Sequence, residues 1–438
     1  MKIINYSKIF DKLFPINRSI LGDGYRKSLN ILKNFINIRE IKYKSGKKIF
    51  DWIVPNEWKI KEGYIKYKNK KIIDYKNSNL HIISYSDKVN KKLSLDKLQS
   101  NLFSIPKYPR FVPYVTSYYQ KNWGFCMSHE QRKKLKKGTY HCYINSEFKK
   151  GYLVNGFCEL KGKSKKINLI STYLCHPSLA NNELSGPLVM IGLYNKIKNW
   201  KKRNFSYQFL INPETIGSLC FLHSHEKKIK RYFNSGLVLT CLGGPITRLT
   251  YKLSKSENSS LDKIFKYLSI QKKVLLRPFD PASGSDERQY NSPGFNFPVG
   301  NISRSVYGSY TGYHNSGDDK EFMRIKMIEK SVNEIEKILQ LHDYLLPIKR
   351  YMPFGELMMV KRNLVSNISL VSGAKGKRKN PSDNYIDSSE KRNILYNILG
   401  YADGGKTILD IVELKRLDIN KAIDVLNTCL KLKLIKFI

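Results

Sequence analysis

Ser171-Thr-Tyr-Leu-Cys-His-Pro-Ser-Leu-Ala-Asn-Asn-Glu-Leu-Ser-Gly186 links a predicted strand to a predicted helix. The apolar run from Lys166 to Tyr173 is typical of a buried strand, and residues 184–200 repeat apolar side chains at helical spacing. The loop between them carries a histidine, an amide and a carboxylate, namely His176, Asn182 and Glu183. Because loops at the carboxyl ends of strands bind ligands in open α/β sheets, this loop is a candidate site.

The same pattern recurs farther along the chain. Apolar runs at 207–211, 237–242 and 297–302 predict strands, and residues 322–346 predict a long amphipathic helix. Strands that alternate with helices indicate an α/β domain with a mainly parallel sheet. Polar residues again follow two of these predicted strands: Glu214, and later His314 in Tyr313-His-Asn-Ser-Gly-Asp-Asp319.

Three other segments differ from the α/β region in sequence pattern. We expect the α/β domain to comprise residues 1–40 and 111–350, because residues 41–110 read as short β-like runs of a small inserted β domain. Residues 351–384 are polar and include Lys375-Gly-Lys-Arg-Lys-Asn-Pro-Ser-Asp383, which predicts a linker or surface loop. Residues 385–438 predict three short helices and a strand, the outline of a winged helix.

Composition narrows the class of protein. The 438 residues include seven scattered cysteines without a C-x-x-C pair, which argues against a disulfide framework or a cysteine-rich zinc module. We find no signal peptide and no apolar run long enough for a membrane helix, so we expect a cytoplasmic protein. The net charge of +42 favours polyanion binding, but the lysines are spread along the chain, and we favour compositional bias.

Several of these polar residues could bind a metal or catalyse a reaction. His176 and His314 suit zinc as neutral imidazoles, although a single histidine is more often an ordinary polar residue. Glu214 could act as a general base, or could cap the following helix. Asp286 and Glu287 are paired acids in a Gly/Ser loop, where an N-cap is the simpler role.

Long motifs resemble the DUF4910/DUF2172 group of bacterial aminopeptidase-like proteins, whose fold is similar to the M28 zinc aminopeptidases. The resemblance covers nearly the whole chain. It implies a three-layer α/β sandwich, phosphorylase/hydrolase-like, with a small inserted β domain and a C-terminal winged helix. The matching segments are 18–24, 50–58, 113–119, 123–126, 175–187, 213–218, 284–290 and 313–319.

The resemblance also implies roles for individual residues. His176 and His314 match the first and last metal-binding histidines, and Glu214 matches the general base. Three metal-binding carboxylates of the two-zinc enzymes fall on Asn182, Thr215 and Thr240. Two cations with so little negative charge between them would repel each other. We therefore expect one zinc ion.

This single ion would be held by His176 and His314, with Asn182, Glu183 or Asp286 completing the shell. Glu183 could instead contact the substrate. Arg288 and Arg304 could bind a substrate carboxylate or phosphate, although structural salt bridges are the simpler role. These roles predict a mononuclear zinc hydrolase that cleaves an amide or peptide bond.

Two other functions stay open at this stage. The chain could be an inactive binding protein for a peptide-like or amino-sugar ligand, since members of the group are often associated with surface-polysaccharide biosynthesis. It could also be a winged-helix regulator that binds nucleic acid. However, helix 418–432 lacks the clustered Arg and Lys of a groove reader, so we expect protein contact there rather than specific DNA binding. A homo-oligomer is compatible with either function.

Overall fold

The computed structural model describes residues 4–362, 364, 386 and 388–438. They form two compact units, Met1–Ile338 and Leu339–Ile438. Within the described residues, no helix is both long and apolar enough to cross a membrane. The predicted linker segment 375–383 lies outside the described residues.

The strands are β1 (Arg39–Lys44), β2 (Lys48–Ile49), β3 (Trp52–Ile53), β4 (Glu57–Tyr67), β5 (Lys70–Asp74), β6 (Val89–Ser94), β7 (Leu102–Phe103), β8 (Phe125–Cys126), β9 (Thr139–Lys149), β10 (Tyr152–Leu160), β11 (Ile167–Tyr173), β12 (Ser206–Asn212), β13 (Phe233–Leu239), β14 (Leu249–Lys252), β15 (Val274–Arg277), β16 (Val299–Ser303), β17 (Ile348–Arg350) and β18 (Ile435–Phe437). The α-helices are α1 (Tyr6–Leu13), α2 (Asp23–Lys33), α3 (Leu95–Leu98), α4 (His129–Lys133), α5 (Ser185–Lys198), α6 (Ile216–Tyr232), α7 (Ser260–Ile270), α8 (Glu287–Tyr290), α9 (Ile325–Asp343), α10 (Ser389–Tyr401), α11 (Ile408–Lys415) and α12 (Ile419–Lys431).

An eight-stranded sheet forms the centre of the first unit, in the order β1-β10-β12-β11-β13-β16-β14-β15. Its four middle strands, β12, β11, β13 and β16, run parallel to one another. Every residue of β11 and β12 is buried, as expected for parallel strands covered on both faces. The prediction of a mainly parallel α/β sheet is therefore confirmed, and the carboxyl ends of these strands share one edge.

Helices cover both faces of this sheet. On one face, a Cβ at Gly192 of α5 would lie 2.5 Å from the Tyr6 hydroxyl of α1 and 2.6 Å from the Val332 side chain of α9, so these helices pack closely. On the other face, Phe221 of α6 and Tyr290 of α8 share one apolar cluster with residues of β10 to β13. The result is the expected three-layer arrangement.

A second, four-stranded antiparallel sheet has the order β5-β4-β9-β6. It differs in extent from the expected small β domain at 41–110. Residues 41–44 belong to β1, which pairs with β10 in the large sheet, whereas β9 extends the small sheet to Lys149. These pairings join segments that are far apart in sequence, and local pattern does not report them. The domain boundaries as such stay a prediction.

The second unit contains α10, α11 and α12 and the antiparallel pair of β17 and β18. The three helices and the last strand are those expected from the sequence. The partner of β18 precedes the helices, so residues 348–350 group with this unit rather than with the α/β domain. The winged-helix assignment stays a prediction.

Candidate active site

The loops after β11, β12 and β13 carry polar residues at one edge of the large sheet, because these strands are parallel. The loop after β11 runs from Leu174 to Leu179 and is followed by one π-helical turn, Ala180–Leu184, before α5 begins. All five residues of this turn are buried. Single π-helical turns are rare and are found mostly at functional sites. This turn contains both Asn182 and Glu183.

Glu183 fixes the orientation of His176. Its Oε1 accepts the backbone N–H of His176 at 2.8 Å, and its Oε2 lies 2.5 Å from the ring Nδ1. Burial lowers the pKa of His176, but Tyr114 and the Glu183 carboxylate outweigh it, and the pKa lies well above its ordinary value. With Nδ1 occupied by Glu183, Nε2 is the ring atom left for a ligand, and a metal ion bound there would displace the proton that the raised pKa keeps on the ring.

Arg18 holds the backbone of the same loop. Its Nε and Nη2 donate to the carbonyl oxygen of His176 at 3.0 and 2.8 Å, and its side chain is fully buried. Burial lowers the pKa of Arg18 to about 10, while the negative charge of Glu183 opposes that shift. The guanidinium therefore provides the nearby positive charge that a buried carboxylate needs.

Cys175 contributes a third ligand type to this cluster, since ligand atoms of Cys175, His176 and Glu183 lie within 4.8 Å of one another. Burial raises the pKa of the Cys175 thiol to about 11, and its Sγ accepts the backbone N–H of Glu214 at 3.3 Å. Both oxygens of Glu183 are already bonded to His176. We therefore interpret this trio as a support for His176.

His314 faces His176 across a shared aromatic side chain. The two imidazole centroids are 5.4 Å apart, and the Tyr114 ring meets both edge-on at 4.9 and 5.5 Å. Burial, and then the charge of His176, lower the pKa of His314 to about 3, so its ring is neutral. No residue in the described part of the chain forms a hydrogen bond with its ring nitrogens, which leaves a lone pair for a metal.

Glu214 precedes a strained turn. Thr215 has φ 64° and ψ −73°, and the N–H of Ile216 donates to the carbonyl of Glu214 at 2.8 Å. This is the γ-turn with positive φ, a conformation that is rare and costly for a residue with a side chain. Such strain persists only where surrounding contacts enforce it.

Asp286 enforces this turn. Its Oδ1 accepts the N–H of Thr215 at 2.6 Å and the hydroxyl of Ser218 at 3.1 Å, and its Oδ2 accepts the amide of Asn212 at 2.8 Å. Burial, and then the charge of Glu214, raise the pKa of Asp286 to about 7. Both oxygens are committed to the loop, so we reassign Asp286 from candidate metal ligand to the anchor of the turn.

The Glu214 carboxylate reaches the site directly. Its Oε2 lies 3.5 Å from Nε2 of His176, and its Oε1 accepts the hydroxyl of Ser285 at 2.6 Å. The Glu214 side chain is 27% exposed, so a water molecule can reach it. Burial raises the pKa of Glu214, while His176 and Ser285 act in the opposite direction.

A buried ion pair fixes the segment that carries Ser285. Lys252 Nζ lies 2.9 Å from Glu287 Oε1, and both side chains are at most 2% exposed. Both oxygens of Glu287 accept the backbone N–H of Ser285. Lys252 also donates to backbone carbonyls of the same segment. Glu287, an expected N-cap, thus holds the residue that orients Glu214.

Asn182, Thr215 and Thr240 are the neutral residues at which the family resemblance implies metal-binding carboxylates. Tyr173 links two of them, because its hydroxyl lies 2.5 Å from Thr240 Oγ1 and accepts the Asn182 amide at 3.1 Å. The Oδ1 of Asn182 is buried and has no hydrogen-bond partner among the described residues. The Oδ1 of Asn182 is therefore available as an oxygen ligand. The phenol of Tyr173 lies between the Asn182 amide and the Thr240 hydroxyl.

Asp318 ties the His314 loop to the π-helical turn. Its carboxylate accepts the N–H groups of Asn181 and Asn182 at 2.6 and 2.9 Å and the hydroxyl of Tyr310 at 3.1 Å. Burial raises the pKa of Asp318 to about 7. This clamp brings two loops together that are more than 130 positions apart.

The two arginines predicted to bind substrate differ. Arg304 is buried and donates to Ser331 and to the carbonyl of Thr247. Its ion pair with Glu334 is the structural salt bridge that was the simpler interpretation of the sequence. Arg288 on α8 donates only Nε to the carbonyl of Ser285, at 3.3 Å, within the described residues. Arg288 therefore stays a predicted substrate ligand, whereas Arg304 does not.

Sequence reasoning did not assign roles to Arg18, Tyr114, Tyr173, Ser285 and Asp318. All but Tyr173 lie within the motif segments that carried the family resemblance, and Tyr173 lies in the 171–186 stretch. Their positions within these segments were the signal in the sequence that could have identified them as site residues. Their contacts depend on the folded chain, because each bonds a residue distant in sequence.

Comparison with known proteins now adds to this geometry. A family model described as a domain of unknown function, DUF4910, matches residues 7–344. The chain belongs to the DUF4910 family. Its relatives include a Clostridium acetobutylicum protein provisionally named a polysaccharide biosynthesis protein with an aminopeptidase-like domain. That protein is 41% identical over 318 residues, which cover 72% of each chain.

Solved structures similar to this DUF4910 chain include peptidases. A crystal structure from Clostridium acetobutylicum, provisionally assigned as a peptidase, shares 32% identity with a TM-score of 0.85 and covers 99% of this chain and 96% of its own. A zinc aminopeptidase from Bacillus subtilis matches at 11% identity and a TM-score of 0.55, over 76% and 93% of the two chains. An M28 peptidase precursor from Shewanella amazonensis matches at 11% and 0.54, over 77% and 92%. The fold is that of the M28 zinc aminopeptidases.

Proposed function

We propose that this protein binds one zinc ion through His176 and His314 and hydrolyses an amide bond. The observation that carries the proposal is the contact between Glu183 and Nδ1 of His176, at 2.5 Å. Histidines that bind metals almost always donate their other ring N–H to a carboxylate or carbonyl. This contact directs Nε2 of His176 toward the cleft, where Glu214 lies 3.5 Å away.

The other groups support a fit to zinc. The low pKa of His314 keeps its imidazole neutral, the form that binds metal. Asn182 offers a buried Oδ1 without a partner among the described residues, and it lies on the same π-helical turn as Glu183. Two imidazoles and one amide oxygen leave an open coordination position, as catalytic zinc sites require.

One ion fits this site better than two. The bond between Tyr173 and Thr240, at 2.5 Å, joins neutral hydroxyls where the resemblance to the two-zinc enzymes implies a carboxylate. The side chain of Thr215 carries no charge, and the backbone N–H of Thr215 donates to Asp286. A second cation would lack the negative charge that offsets repulsion between two metal ions.

The chemistry follows from the placement of Glu214. Zinc, when bound, would polarise the amide carbonyl and stabilise negative charge on its oxygen. Glu214 would accept a proton from the attacking water and return it to the leaving amine, so that water adds across the C–N bond. Its raised pKa suits this exchange, and the hydroxyl of Ser285 fixes the carboxylate in place.

The substrate class rests on the relatives. The Clostridium acetobutylicum relative is named for polysaccharide biosynthesis and for an aminopeptidase-like domain. We propose an amide of a peptide-like or amino-sugar compound, consumed in surface-polysaccharide biosynthesis. The partly exposed Arg288 is the proposed ligand for a substrate carboxylate.

Zinc content measured by mass spectrometry on untagged protein tests the proposal. We expect about one zinc per chain, lost in His176→Ala and in His314→Ala. The matched control is His225→Ala, which removes a half-buried histidine that stacks on Phe221 at 4.6 Å, and it should keep its zinc. Absence of zinc from the reconstituted wild-type protein contradicts the proposal. So does unchanged zinc in the variant that carries both His176→Ala and His314→Ala.

A binding protein without catalysis is the second candidate. It is favoured by the neutral residues at three carboxylate positions, since asparagine is a weaker zinc ligand than aspartate. Metal-free wild-type protein that still binds a peptide-like or amino-sugar ligand would support this candidate. In either case, we propose that the C-terminal helices contact another protein.

A further inference from the structure

A separate cavity lies where the β2–β3 hairpin meets α6 and α8. Its volume is about 350 Å³, at the lower end of the range for small-molecule sites. The residues that line it are Phe50, Asp51, Trp52, Leu219, Glu226 and Lys230, with four more from the segment 289–295. None of them belongs to the proposed zinc site.

Aromatic rings form one wall of this cavity and continue onto the surface. Phe50 is 39% exposed and meets Phe295 edge-on, with ring centroids 5.7 Å apart. Trp52 is 37% exposed and meets Tyr119 edge-on at 5.3 Å. These clustered aromatic rings provide the large apolar contact area that binding sites use.

The backbone holds Phe50 on this wall at a cost. Lys48 pairs with Ile53 and Ile49 with Trp52, so Phe50 and Asp51 form a two-residue hairpin turn. Phe50 has φ 54°, and in such turns this position favours glycine, asparagine or aspartate over a bulky residue. A phenylalanine in left-handed conformation is a real outlier, of the sort that persists at ligand sites.

The polar rim excludes several ligand classes. Glu226 and Lys230 neutralise each other in an ion pair at 2.6 Å, and Asp51 adds one further negative charge. A phosphate, nucleotide or carboxylate ligand would lack the cluster of cations that binds such groups. A purely apolar ligand would leave the Asp51 and Gln289 side chains without a role. The occupant must present an apolar face and several hydroxyl or amide groups.

We propose that this cavity binds a pyranose ring of a glycan. The C–H face of a pyranose would lie on the Trp52 and Phe50 rings. Its hydroxyls would donate to Asp51 and to the hydroxyl oxygen of Ser292, whose own proton is donated to the carbonyl of Gln289, and would exchange hydrogen bonds with the Gln289 side chain. These are the donor and acceptor types that sugar hydroxyls match. The rigid aromatic anchors supply apolar contact area at little conformational cost.

The cavity and the candidate active site share an apolar cluster. Ile49, which precedes Phe50, belongs to this cluster together with Leu219 of the cavity wall and Cys175, the neighbour of His176. The cavity is therefore placed to hold a sugar attached to the amide that Glu214 would hydrolyse. This interpretation as a substrate subsite rests on the proposed function, whereas sugar binding itself does not.

Saturation-transfer NMR with methyl glycosides of glucose, galactose and N-acetylglucosamine, at millimolar concentration, tests the site. We expect at least one of them to receive saturation from the wild-type protein. Trp52→Ala and Phe50→Gly should each weaken binding about tenfold or more. Glycine accepts the left-handed conformation freely, so Phe50→Gly should retain its fold and melting temperature. Tyr396→Ala, which removes an aromatic ring that is 43% exposed on α10, is the matched control.

The outcomes separate this proposal from the zinc proposal. Wild-type protein that binds none of the three glycosides, or folded Trp52→Ala and Phe50→Gly proteins with unchanged binding, would overturn the sugar site. Phe50→Gly and Trp52→Ala should keep the zinc content of the wild type. His176→Ala should lose zinc and keep glycoside binding.

Discussion

Glu183 and His176 are joined through both oxygens of one carboxylate. Oε1 accepts the backbone N–H of His176, and Oε2 lies 2.5 Å from Nδ1 of its ring. One side chain thus fixes the imidazole at its backbone and at its ring. Arg18 donates to the carbonyl oxygen of the same residue, so both backbone polar groups of His176 are held.

Glu183→Gln should weaken zinc binding about 10- to 100-fold, the usual effect of removing a carboxylate behind a metal-binding histidine. The amide can still accept one hydrogen bond, but it carries no charge to make the imidazole a stronger ligand. Competition against a chelator of known affinity measures the change. Glu159→Gln, which replaces a half-buried glutamate bonded to Gln208 and Lys228, should leave zinc affinity unchanged. Equal affinity in Glu183→Gln and the wild type would refute the role of Glu183.

Asn182→Asp should raise zinc affinity about tenfold or more, because a carboxylate replaces an amide at an oxygen that has no partner within the described residues. Without metal, the new buried charge should destabilise the protein by about 2 kcal/mol or more. Chelator competition and urea denaturation, each with and without zinc, measure both effects.

Asn181→Asp is the control for Asn182→Asp. It places the same charge one residue earlier on the π-helical turn, where Oδ1 already accepts the N–H of Gly243 at 2.8 Å. It should destabilise the metal-free protein without improving zinc binding. If both variants improve zinc binding alike, a general electrostatic effect is the better explanation.

Much of the fold could be predicted because β11 and β12 are buried on both faces and thus read as continuous apolar runs. Their order along the chain placed His176 and Glu214 at one sheet edge. The extent of the small sheet could not be predicted, since β9 pairs with β4 and β6 across 45 to 92 positions of sequence. Local pattern reports strands and not their partners.

The site was predictable in its residue types and less so in their roles. Asp286 was one of three residues that could complete the shell of a single zinc ion, but its contacts are to the backbone and side chains of the loop after β12 and of the helix that follows. The strain at Thr215 has no sequence signal, because threonine is an unusual residue for positive φ. Only the folded loop, held by Asp286, makes that conformation tolerable.

Thr215→Gly should raise the free energy of unfolding by about 1 kcal/mol, since glycine adopts this conformation without the strain that threonine stores there. The gain is limited by the greater backbone freedom that glycine has in the unfolded chain. Urea denaturation measures it. Thr139→Gly is the control, at the exposed first residue of β9, and it should lower stability because glycine weakens a strand. A loss of stability in Thr215→Gly would show that the turn is not strained.

His342 should make the protein less stable as the pH falls. Burial in α9 lowers its pKa to about 3, far below the ordinary value of 6.5. Below pH 6.5 the unfolded chain takes up a proton that the folded protein excludes, so stability present above pH 6.5 is lost as the pH decreases. The expected slope for one proton is about 1.4 kcal/mol per pH unit.

His342→Gln removes the imidazole that is protonated in the unfolded chain, so the free energy of unfolding should depend less on pH. Between pH 6.5 and 5 the variant should lose less stability than the wild type, by up to about 2 kcal/mol. Urea denaturation at both pH values measures the difference. The control is His141→Gln, at a half-exposed histidine on β9 that bonds Asn90 at 2.7 Å, and it should leave the wild-type slope unchanged. Parallel pH profiles for His342→Gln and the wild type would mean that the buried imidazole is protonated in the folded protein, which its complete burial opposes.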